Sequence, residues 1–190
     1  EKEKSPFFIA NAAIMLFSSG VVLFIITQLF LTQLLKACGS PTDVLPYAQT
    51  YVRITSFGFP FLILSVGGGH LIRADGSPKV AMICNILGAV INVILDAVFI
   101  FGFNMGIAGA AYATIIGQIT SAIVVIMYMK NFKTVPLLRK HFKLNLHYIK
   151  EITSIGMASG INQVAMMIVQ IILNNSLRYY GGLSIYGESI

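Results

Sequence analysis

The sequence has little charge, no tryptophan, and only two cysteines. Each shortage excludes something. Charged residues make up 11% of the 190 positions, against about 25% in a typical soluble domain. An ordinary water-soluble globule is therefore a poor fit, and the mean hydropathy of +0.81 points the same way. Cys38 and Cys84 are unaccompanied by a CxxC or Cys/His spacing, so neither a zinc site nor a disulfide framework is indicated. They read as free thiols, with Cys84 acting as a small hydrophobe inside an apolar run. The opening EKEKSPFF carries no short apolar stretch ending in a cleavage site.

Enzyme signatures are also missing. The sequence contains no GxSxG, HExxH or P-loop. His70, His141 and His147 fall in or beside loops, without acids at metal-binding spacing. The stretch HLIRADG reads as a charged helix end and turn. The net charge of +6 does not indicate nucleic acid, because the cations sit in gaps between oily runs. Basic loops beside membrane spans are the better reading.

What remains is oil. A spanning helix needs about 20 apolar residues, and five windows qualify: Ile9–Leu35, Ile54–Ile72, Val80–Phe103, Met105–Met129 and Ile152–Leu177. They do not alternate as barrel strands would. In lipid the backbone must satisfy itself, so helices are expected. Turn chemistry separates them: CGSPTD, RADGSPK and FGFNMGIAG. The last of these is short and uncharged, which predicts a tight antiparallel pair. The expected fold is all-α, a polytopic transmembrane bundle of five spans.

Alternating the sides places Lys2, Lys4, Arg73, Lys79, Lys130, Lys133, Arg139, Lys140, Lys143 and Lys150 together, against Lys36, Arg53 and Arg178 on the other side. The richer side is cytoplasmic. The first and fifth helices then both run outward. The stretch from Lys130 to Lys150 is a basic connector; Leu137, Leu138, Phe142, Leu144, Leu146 and Ile149 among its cations suit a short amphipathic helix on the inner leaflet. Five helices around one long loop suggest a piece of a larger protein.

Asp96 is the only ionisable group well inside any window. An acid there costs roughly 2.5–3.5 kcal/mol on insertion scales and by default belongs to an ion pathway or proton relay. The alternatives are snorkelling at the outer interface or capping a broken turn. Asn92, one turn earlier, shares its face and favours a site: an amide and a carboxyl together suit a hard cation, and the carboxyl alone suits a proton. The short loop returns Thr114 to a similar depth, with Ala108, Gly109, Ala110, Ala111 and Ala113 permitting close approach. The alternative for Thr114 is bonding back to its own helix. Other intramembrane amides are mostly interhelical glue, but Gln118, Gln163 and Met166 are candidates to line a substrate cavity. Beyond a Na⁺ site at Asp96, Asn92 and Thr114, no metal or catalytic residue is expected.

The run IRADGSPKVAMICNILGAVINVILDAVFIFGFNMGIAGAAYATIIGQ resembles the central signature of the MATE family, the multidrug and toxic compound extrusion transporters. Arg73, Ala74 and Gly76, then Asn92 and Asp96, then Gly106, Gly109, Ala110, Ala111, Ala113 and Thr114 stand in that pattern's order. The resemblance implies helices three to seven of a twelve-helix, two-lobe transporter. Residues 1–129 would be the last four helices of the N-terminal lobe, 130–150 the cytoplasmic linker, and 151–190 the first helix of the C-terminal lobe. It implies a cation-coupled antiporter, driven by H⁺ or Na⁺, that exports amphipathic or cationic organic compounds from a plasma (inner) membrane as a monomer.

Asn92, Asp96 and Thr114 match cation-site positions of some family members. Ala97 stands where the family usually has proline, and Ile152–Leu177 lacks the glutamate of members with a C-lobe site, which favours coupling in the N-lobe. The rival readings are a lipid-linked oligosaccharide flippase of related architecture, marked by a basic cavity, and an intramembrane enzyme or a non-transporting scaffold.

Overall fold

A computed structural model describes residues 5–38, 40, 43–130, 132 and 145–187. Its elements are α1 (Ser5–Leu29), α2 (Leu31–Ala37), α3 (Leu45–Thr55), α4 (Phe59–Ala74), α5 (Pro78–Ala97), α6 (Gly106–Lys130) and α7 (Leu146–Gly187). A 3₁₀ turn, Ser56–Gly58, joins α3 to α4, and a π turn, Val98–Gly102, extends α5. No strand occurs among the described residues. Among the described residues, four helical segments are long and apolar enough to cross a membrane: Pro6–Leu29, Leu45–Ala74, Pro78–Gly102 and Gly106–Lys130. The fifth expected span is a bent pair, Leu146–Met157 and Ser159–Asn174, meeting at 47°. Gly156, Ser159 and Gly160 surround the bend, where weak helix formers lower the cost of a kink.

Two boundaries differ from the hydropathy reading. The first window divides at Phe30, whose backbone (φ −114, ψ 23) leaves the helical region, so α2 turns away as a separate short helix. A 25-residue helix already exceeds the roughly 30 Å of hydrocarbon. The second span begins at Leu45 rather than Ile54 and carries Arg53 within it. Arg53 lies 21 residues before Ala74, roughly 32 Å along a helix, about one hydrocarbon thickness from the other end of the span, and it is exposed. Pro60 has no N–H to give a helical bond, and the 3₁₀ turn just before it absorbs that break. The linker with its Leu137, Leu138, Phe142 and Leu144 lies outside the described residues; Leu146 and Ile149 belong to α7.

Helix α6 is the hub, packing against α3, α4 and α5, while α1 packs along α4. Small residues set the approach. A Cβ on Gly20 would collide with Pro60, and one on Gly117 would lie 2.7 Å from the Gly88 carbonyl oxygen. Ser121 Oγ donates to the Cys84 carbonyl at 3.0 Å across the α5–α6 contact. The apolar core gathers Ala13, Leu64, Ile72, Ala81, Cys84, Val125, Met129 and Phe132. These lie towards the ends of α4 and α6 and the starts of α1 and α5, which is the end that carries Arg73, Lys79 and Lys130. Tyr128 Oη donates to Asp75 Oδ2 at 2.8 Å there, tying the α4–α5 turn to the end of α6.

Candidate functional site

The turn between α5 and α6 is built from two positive-φ residues, Asn104 (φ 52) and Gly106 (φ 54), which reverse the chain within four residues of Gly102. The two helices then run antiparallel. A Cβ on Gly109 would stand 3.0 Å from Phe99 Cβ, and one on Gly117 would stand 3.0 Å from Asn92 Cβ. These two approaches bracket Asp96 on α5 and Thr114 on α6, so the two lie at neighbouring levels, as their spacing from the turn predicts.

The four polar residues at this level are half-buried: Asn92, Asp96, Thr114 and Gln118. Asn92 Nδ2, Asp96 Oδ1 and Gln118 Oε1 are each enclosed without a hydrogen-bond partner. Leaving such an atom unsatisfied costs about 1–3 kcal/mol, so each marks a place where something polar belongs. A half-turn of either amide exchanges its donor and acceptor. An oxygen of Asn92 with the Asp96 carboxyl one turn on could therefore face a cation, while the carboxyl alone could hold a proton.

Thr114 Oγ1 donates to the Ala110 carbonyl at 2.8 Å, the back-bonding that its position in a helix allows. Tyr51 Oη lies 3.3 Å from the same oxygen. Because the threonine proton is already committed, the tyrosine is the donor. A Cβ on Gly58 would strike Gln118 Oε1, so glycine at the 3₁₀ turn is what lets that amide lie against α3–α4.

Between α4, α5 and α6 lies a cavity of about 220 Å³, lined by Leu62, Ser65, Val66, Asn85, Gly88, Ala89, Asn92, Thr114, Gly117, Gln118 and Ser121. It brings Asn92, Thr114 and Gln118 together. Asp96 sits one helical turn beyond Asn92 on the same face and does not line the wall. Gln163 and Met166 are elsewhere: both are exposed on α7, which packs chiefly on α1. Just past Asp96 the π turn forms, with Phe103 N–H donating to the Val98 carbonyl at 3.0 Å. Helix distortion thus occurs beside the acid with alanine at position 97, and π turns often accompany functional sites.

Tyr51 lies ahead of the apolar window Ile54–Ile72 and so outside the sequence reading. A signal was available: Tyr51, Thr55, Gly58, Leu62 and Ser65 recur at spacings of four and three. That row faces α6, where Tyr51 meets Thr114, Gly58 meets Gln118, and Leu62 and Ser65 line the cavity.

The MatE family model matches residues 3–98. The multidrug export protein MepA of Staphylococcus aureus is 32% identical over 173 residues, covering 90% of this chain and 38% of that protein. Two solved structures share the fold, each at 24% identity. One is the outward-facing conformation of a multidrug resistance MATE family transporter (TM-score 0.80, covering 92% of this chain and 39% of that one). The other is an inward-facing conformation (TM-score 0.78, covering 89% and 39%). The chain thus spans well under half the length of the relatives it matches. With its apolar spans, its antiparallel α5–α6 pair and the match over residues 3–98, it is a multi-pass membrane protein that belongs to the MatE family.

Proposed function

We propose that the full-length protein is a cation-coupled exporter of amphipathic or cationic small organic molecules, working in the plasma membrane by alternating access of two lobes. The observation that carries this reading is that Asn92, Asp96 and Gln118, on the antiparallel stretches around the Tyr51–Thr114 contact, each keep an enclosed polar atom without a partner. H⁺ or Na⁺ taken up at Asp96 neutralises a charge in low dielectric. That changes which arrangement of the bundle is cheaper, and a ligand shifts such an equilibrium only by its different affinity for the two states.

Residues 1–129 form the end of one lobe in this reading, 130–150 the linker, and 151–190 the start of the second lobe in a single working copy. The exposure of α7 supports the division: Ile155 is 74% and Met166 68% accessible, as expected of a helix whose partners lie in another bundle. Gln163 and Met166 then stay candidates for substrate contact from the second lobe, with Gln118 on the first. The cavity lining includes no Lys or Arg, which supports organic cations over the phosphate-bearing lipid of a flippase.

The test is export of a fluorescent organic cation by the full-length protein in vesicles, with Na⁺ and pH gradients imposed separately. One gradient is expected to drive export, and Asp96→Asn to abolish it at unchanged membrane abundance. Wild-type rates from that variant would remove Asp96 from the coupling.

A further inference from the structure

Helix α1 is part of the first bundle along its length. Gly20 meets Pro60, and Leu16 fills the space over Gly67, so α1 and α4 are locked together. Helix α7 is attached differently. Among the described residues, its mooring is at its first turn, against the first turns of α1.

The mooring centres on Asn11, which is 0% exposed. Its Nδ2 donates to the Phe7 carbonyl at 2.8 Å, within α1. Its Oδ1 accepts the backbone N–H of Asn145 at 3.0 Å, the residue that precedes α7. Asn145 in turn caps α7, its Oδ1 accepting the His147 N–H at 3.0 Å. One amide therefore holds both helices by their backbones. Around it Tyr148 stacks on Phe7 (centroids 6.0 Å, 14°) and meets Phe8 edge-on (4.6 Å, 65°). Past that point α7 is exposed, and it bends by 47° between Met157 and Ser159.

A helix moored to the first bundle by its first turn can act as a lever for whatever packs along the rest of it. We propose that the Asn11–Asn145 mooring, with its Phe7, Phe8 and Tyr148 packing, is the fixed pivot about which the second lobe swings. Asn11 is then a positioning residue at the cytoplasmic end. This rests on the two-lobe transport reading above. Its distinguishing consequence is that the contact does not open during the cycle. A motion that turns about this contact leaves its burial and both its bonds in place.

The experiment uses the full-length protein, made cysteine-free, with Phe8→Cys and Tyr148→Cys installed and joined by a short bis-thiosulfonate bridge. Ethidium export is measured before and after bridging. The bridged protein should retain at least about half of its unbridged rate, since a tether across a pivot spans no change in distance. Export that stops on bridging and returns on reduction overturns the pivot while leaving transport standing. An unbridged protein that exports nothing, where wild type does, is replaced by Asn11→Leu, which keeps the branching at Cγ and loses both bonds. That variant should lower the maximal rate by about threefold or more with KM unchanged. An unchanged maximal rate overturns the pivot. If wild type itself exports no organic cation, the transport reading fails and the pivot fails with it.

Discussion

Tyr51 Oη reaches Thr114 Oγ1 at 3.3 Å, and with it the outer part of the second span is tied to α6 beside Asp96. The tyrosine donates, so the threonine oxygen spends one lone pair on it and keeps another. Removing the phenol hydroxyl by Tyr51→Phe loses one neutral hydrogen bond, worth about 0.5–1.5 kcal/mol. Export should fall by a few-fold with little change in the amount of protein in the membrane. Quantitative blotting beside a dye-efflux assay separates the two effects. Unaltered efflux would show that this tie has no part in coupling.

The crossing of α5 and α6 at Gly88 and Gly117 leaves no room for a side chain. A Cβ at position 117 would be 2.7 Å from the Gly88 oxygen and 3.0 Å from Asn92 Cβ. Gly117→Val should therefore force the helices apart, at about 1–3 kcal/mol, and displace Asn92. A lower thermal transition of the detergent-purified protein and a larger loss of efflux are expected. Gly69 provides the contrast, since nothing stands within 4 Å of its Cβ position. Gly69→Ala should leave the transition level or raise it, by about 0.4–1 kcal/mol of unfolded-state entropy.

Ser121 contributes one interhelical bond to the Cys84 carbonyl at 3.0 Å. Membrane hydrogen bonds of this sort average about 0.6 kcal/mol. Ser121→Ala should shift the melting temperature only slightly, and much less than Gly117→Val. Equal shifts would mean that polar bonding, rather than close packing, holds this pair.

Cys38 is exposed at the end of α2, on the side with few cations, and Cys84 is buried in α5. A membrane-impermeant maleimide added to intact cells should label Cys38 and leave Cys84 untouched. Labelling of Cys38 only after permeabilisation would invert the orientation drawn from the lysines and arginines.

The spans were legible because burial in lipid demands long apolar runs and little else. Asp96 with Asn92 stood out for the same reason: polarity inside oil is conspicuous. Thr114 came within reach through loop length, a property of the sequence. Three features were hidden. The helix boundary at Leu45 was masked by Arg53, a charge that sits at the end of the oil and inside the helix. The break at Phe30 has no glycine or proline to announce it. The π turn after Asp96 arises from hydrogen-bond register, to which side-chain pattern is blind. Gln163 and Met166 are different, since α7 around them is exposed on every side and offers no covered face for a pattern to mark.

The apolar cluster from Ala13 to Phe132 lies near the basic end of the helices. At the opposite end α5 and α6 are held by the Asn104–Gly106 turn, with Gly109 against Phe99. The hairpin is gripped at both ends like a bow, and the level of Asn92 and Thr114 lies between the grips, where a shift of α3 or α4 can reshape the pocket without parting α5 from α6.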